Sequence, residues 1–197
     1  MDAREIRSQA AAMAGKICQI LDLIEKGFME HRTEYLAQAV QKEHEINESE
    51  RALTLKILEL SKSSKDRKGL IALQQAIEML ERMGDEALGL IERIEIKISE
   101  KLLFSEEGVA QFNETYGVMK KSVHMMKECL EKGDSTLKDR IVDNGFTVKA
   151  LVERYRKEHT ERLLHGICTP IAANMYFDML DFTGNLARHA SSIIKAF

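Results

Sequence analysis

The sequence predicts an all-α protein, a tandem pair of three-helix bundles with six long helices, on three observations. Apolar residues recur at helical spacing through nearly all of its 197 residues. The breaks between those stretches are short and rich in glycine, serine or proline. The second half then restarts the grammar of the first. With 44% hydrophobic and 31% charged residues, the chain can fill a sizeable core and still solvate its outer faces.

Ile6, Met13, Ile17, Ile20, Leu21 and Ile24 line one face of a first helix that runs toward Gly27. A second helix is expected over about 33–61, with Leu36, Ala39, Val40, Ile46, Leu53, Ile57 and Leu60 inward. The polar run "SKSSKD" at 61–66 breaks the chain. A third helix follows from about Arg67 to Leu103, its core stripe running from Leu70 through Ile77, Gly84 and Ile91 to Ile98. "FSEEG" at 104–108 is the next boundary, with Ser105 as N-cap. The fourth helix is expected over 106–132, ending at Gly133, and the fifth over 135–164, weakened by Gly145. Pro170 suits the start of the sixth, because its missing N–H costs nothing in the first turn.

The duplication is visible in two places. Glu25-Lys26-Gly27 and Glu131-Lys132-Gly133 close the first expected helix of each half. "IEMLERMGDEA" at 77–87 returns as "FDMLDFTGNLA" at 177–187, sharing Met, Leu, Gly and Ala at matching places. The polar stripe Gln74, Glu78, Glu81, Asp85 returns as Asn174, Asp178, Asp181, Asn185. The two units are therefore expected at 1–103 and 104–197.

Several function classes are disfavoured. A net charge of −3 with no cationic stripe argues against nucleic acid as a partner. Cys18, Cys129 and Cys168 are odd in number and far apart, which suits reduced thiols in a cytoplasmic protein. The N-terminus has no apolar signal core, and no stretch is long and apolar enough to span a bilayer, so a soluble chain is expected. No glutamate stands three residues before any of the six histidines, which disfavours a ferritin-like di-iron oxidase. Neither GxSxG nor HExxH occurs.

The chemistry sits in carboxylates. Glu81 and Asp85 lie one turn apart on a single helical face, where like charges repel. On the second helix Glu43 and Glu50 fall on the line of Leu36, Ile46 and Leu53, which faces inward, with Asn47 beside them. A carboxylate on a buried line is costly unless paired, hydrogen-bonded or bound to a metal. A solvated acidic face beside the core is one account of these residues. The other is a cation held by oxygen ligands from two helices.

"MLERMGDEA" resembles the signature of the PhoU family, Glu-Arg-Ile-Gly-Asp, an E(D)xxxD motif present once in each of two three-helix repeats. Glu81-Arg82-Met83-Gly84-Asp85 carries it with one conservative change. The second copy, Asp181-Phe182-Thr183-Gly184-Asn185, lacks the arginine and the closing aspartate. "QKEHEINESE" at 41–50 resembles the helix that precedes the motif. "YRKEHTERLLHGIC" at 155–168 and the opening "AREI" are most similar to the PhoU-like region that follows the membrane part of bacterial sodium/phosphate cotransporters.

The resemblance implies regulation without turnover. Family members are adaptors that couple a phosphate transporter's membrane domain to a sensor kinase, often as homodimers, and bind clusters of divalent or trivalent metal ions (Fe, Zn, Mn or Mg). Carried onto this chain, the implied ligands are Glu81 and Asp85, helped by Glu43, Glu50 and Asn47. In the second repeat they are Asp178, Asp181 and Asn185, the last a neutral amide and a poorer ligand for a hard cation. The expected place is the cytoplasm, or the cytoplasmic face of the inner membrane if the chain belongs to a longer transporter. The alternatives are a metal-dependent helical-bundle hydrolase or oxidase, or a plain helical scaffold.

Overall fold

The computed structural model describes residues 3–64, 66–133 and 135–196, and every regular element among them is a helix. The helices are α1 (Ala3–Glu30), α2 (Thr33–Ser61), α3 (Arg67–Ser99), α4 (Glu106–Lys132), α5 (Lys138–Leu164) and α6 (Pro170–Ala196). Lys65, inside the expected break after α2, lies outside the described residues. No helix among the described residues is long and apolar enough to cross a membrane.

Local chemistry sets most of the boundaries. The Ser105 hydroxyl accepts from the Gly108 N–H at 3.1 Å, and the Asp66 carboxylate caps α3 by accepting from Gly69 N–H at 2.9 Å. Gly133 takes a left-handed φ of 66° and its N–H closes onto the Cys129 carbonyl, ending α4 where the sequence places the stop.

Three boundaries differ from the sequence reading, one of them the start of α5, at Lys138 rather than 135. α3 stops at Ser99 rather than running to Leu103, because Lys101 turns left-handed and Leu102 N–H bonds back to the Lys97 carbonyl. α1 does not end at Gly27 but continues to Glu30, so the two Glu-Lys-Gly runs are not equivalent helix ends. Gly27 is a contact residue instead. A Cβ there would stand 2.5 Å from Leu36 Cδ2, so the glycine lets the start of α2 fold tightly back onto α1.

α1, α2 and α3 pack against one another, as do α4, α5 and α6; α3 then lies on α6 and α1 on α4. The result is a layer in the order α2–α3–α6–α5, backed by α1 and α4. α3 and α6 run antiparallel, as their paired residues Arg93 with Asp178 and Glu86 with Asn185 require. One continuous apolar cluster runs through all six helices. The buried Tyr116 hydroxyl donates to the Leu21 carbonyl at 2.8 Å, tying α4 to α1. α3 buries Met83, Ala76 and Leu90 as well as its expected stripe, because it touches α1, α2 and α6 at once.

Candidate metal centre and its counterpart

Glu43 is 1% exposed, and neither of its carboxylate oxygens has a hydrogen-bond partner. The exposed His44 ring stands nearby, its Nδ1 3.6 Å from Oε2. One turn on, the Asn47 carbonyl oxygen is likewise buried and unpartnered. α3 packs opposite, and there Gly84 faces Glu43: a Cβ at Gly84 would sit 3.4 Å from Glu43 Cγ and 3.8 Å from Oε1. Those are ordinary contact distances, so Gly84 is not demanded by sterics.

Around this buried carboxylate stand three more. Burial first, then the charges of Asp85, Glu50 and Glu43, push the Glu81 carboxyl above its usual range, with only Arg82 pulling the other way appreciably. Asp85 is exposed, and Glu50 and Glu81 are half-buried. Glu50 accepts from the Thr54 hydroxyl at 2.9 Å, which itself accepts from Gln74, and Gln74 donates also to Glu78. Among the described residues no lysine or arginine forms an ion pair with Glu43, Glu50, Glu81 or Asp85. Nor do three or more acid, imidazole or thiol groups close around a common point. The donors stand on facing stretches of α2 and α3 rather than as a finished cage. Their chemistry, oxygen only and unneutralised, fits a hard cation.

The same positions in the second repeat are built differently. Asp178 is paired with Arg93 of α3 at 2.7 Å, and Asp181 with Arg156 of α5 at 2.7 Å. Asn185 donates its amide to Glu86 at 3.1 Å. Val152 stands over Gly184 as Glu43 stands over Gly84, and Arg156 follows one turn later, as Asn47 follows Glu43. An apolar side chain and a guanidinium thus replace the buried acid and amide. Asp178, Asp181 and Asn185 are consumed by the protein's own groups and do not fit a cation.

Sequence reasoning missed these arginines because each pairing joins residues far apart in the chain. It also missed Glu86, raised above the usual carboxylate range by burial and set where α3 meets α6 near the buried His189. A second polar cluster, His159, Arg162 and Gln111, is buried beneath the α5–α6 turn.

The fold defines a helical-bundle protein of tandem three-helix repeats, with a cluster of acids where α2 meets α3. Residues 11–94 match the family model of the PhoU domain. The structure is similar to that of PhoU from Pseudomonas aeruginosa, with a TM-score of 0.90 at 17% identity over 98% of this chain and 93% of that one. It is similar also to the phosphate transport system regulatory protein PhoU from Streptococcus pneumoniae, with a TM-score of 0.86 at 14% identity over 98% and 92% of the two chains. No curated protein sequence matches the chain.

Proposed function

We propose that this protein is a regulator of phosphate transport or phosphate signalling that works by binding rather than by turnover, with a metal ion in the α2–α3 groove. The observation that carries the metal is Glu43, a carboxylate withdrawn from water whose oxygens no group of the chain satisfies. Such a group is costly by itself and becomes favourable once a cation joins it. Glu81 and Asp85 supply the opposite side, Glu50 and Asn47 extend the near one, and the ion relieves the repulsion that adds to burial in lifting the Glu81 carboxyl. The metal's part is electrostatic, fixing α2 against α3 and setting the charge of the face offered to a partner. The second repeat carries no cation.

The match of residues 11–94 to the PhoU domain model supports the phosphate role, with a transporter's membrane domain or a sensor kinase as the partner. Deleting the gene in its own host and measuring phosphate uptake and a phosphate-starvation reporter tests this reading. Altered uptake or reporter output that the wild-type gene restores is expected. Unchanged uptake together with an unchanged starvation response contradicts it.

A further inference from the structure

The counterpart of the acidic groove is a cavity of about 630 Å³ between α5 and α6. Its floor is apolar and small, with Val142, Gly145, Val152 and Gly184, and Phe146 stands at it 65% exposed. At Gly145 the two helices approach so closely that a Cβ would collide with the Ser191 hydroxyl. The rim carries Lys149, Arg156, Arg188 and Lys195 against only Glu153 and Asp181, a surplus of two positive charges.

Lys195 lies against the Phe146 ring and Arg188 beside the His189 ring nitrogen, within reach of the Glu86 charge, while Lys149 pairs loosely with Glu153 at 3.9 Å and Arg156 is held by Asp181 at 2.7 Å. The charge of this groove is opposite to that of its partner groove in the first repeat, where the acids are the unpaired groups.

The spacing says what fits. The lining runs from 142 to 156 on α5 and from 181 to 195 on α6, four turns or about 21 Å on each wall. The cations are not gathered at a point, as a small anion would need. Lys149 and Arg156 are seven residues apart on one wall, Arg188 and Lys195 seven apart on the other. A helix lying in a groove brings its flanking positions back every seven residues, about 10.5 Å, which is this interval. We infer that the α5–α6 groove docks an acidic amphipathic helix of a partner protein, its apolar face on Val152 and Phe146 and its glutamates or aspartates against the two basic rails. The inference deepens the regulatory reading, on which it rests for the existence of a partner, by giving that partner's contact segment a chemistry.

The test uses a fluorescent synthetic helix of about sixteen residues, long enough for four turns. Leucines occupy one face and glutamates flank them; a second peptide has lysines in place of the glutamates. Anisotropy with the full chain should show saturable binding of the glutamate peptide and at least about tenfold weaker binding of the lysine peptide. Lys149→Glu/Arg188→Glu/Lys195→Glu, all at exposed positions, should keep the helical circular dichroism and reverse that preference. Hydrogen exchange in the complex should slow along α5 and α6. No binding of the glutamate peptide, equal binding of both peptides, or an unaltered preference in the folded triple variant overturns the inference. A deletion phenotype in phosphate uptake beside any of these results leaves the regulatory reading standing and moves its docking surface elsewhere.

Discussion

Replacing Glu43 with methionine should stabilise the metal-free protein and remove its response to metal, two effects of opposite sign from one substitution. Methionine has a similar volume and flexible torsions, so it fills the place of the glutamate beside Gly84 without a large cavity. The substitution removes a buried carboxylate with two unpartnered oxygens. An unsatisfied buried group costs about 1–3 kcal/mol, and exchanging buried charge for apolar volume stabilises by about 1–4 kcal/mol. A gain of about 2 kcal/mol corresponds, for a chain of this size, to a melting temperature about 4–8 °C higher in chelator. In the wild type, metal at about one hundred times its dissociation constant adds about 2.7 kcal/mol, which the variant cannot gain. Calorimetric melts of both proteins, in chelator and with excess Mn(II), measure all four values. The order of stability should invert on adding metal. A variant less stable than wild type in chelator, or one that keeps the full metal-induced rise, refutes the reasoning.

The glycines of α3 separate contact from site. Gly84→Ala should leave stability unchanged or raise it by up to about 1 kcal/mol, since its Cβ has room and alanine favours the helix. Gly89→Ala should lower it by about 1–3 kcal/mol, because its Cβ would enter the Phe182 ring that packs α6 onto α3; urea denaturation measures both. Acid should destabilise the fold through two histidines. Burial, then Arg162, holds His159 down to about 4 from 6.5, and burial, then Arg188, does the same to His189. The unfolded chain takes those protons first as pH falls, so stability is full above about 6.5 and is lost toward pH 4, by about 3 kcal/mol per histidine at most. Melts of His159→Phe should show a shallower slope across that window; an unchanged slope contradicts the assignment.

The sequence made the helices legible because each carries its own stripe and most carry their own caps. Ser105, Gly133 and Pro170 stop or start helices through bonds within a few residues, so spacing alone finds them. The inward place of Glu43 was legible for the same reason, since its neighbours on the line, Ala39 and Ile46, are apolar and buried. The end of α1 was not. Whether a glycine stops a helix or sits inside it depends on what packs there, and Leu36 decides this at Gly27. Gly84 lies on the expected core stripe, yet the tight contact belongs to Gly89, whose partner Phe182 is on another helix of the other repeat. The second-repeat acids looked like weakened copies of a cation site. They are neutralised by Arg93 and Arg156, through contacts that no local pattern encodes.

Metal content after equilibrium dialysis against Mn(II) separates the two repeats, comparing wild type with Glu81→Gln/Asp85→Asn and Asp178→Asn/Asp181→Asn. Bound metal is expected in the wild type, with its loss in the first-repeat variant and full retention in the second-repeat variant. Equal loss in both variants, or a wild type that holds no metal, contradicts this expectation.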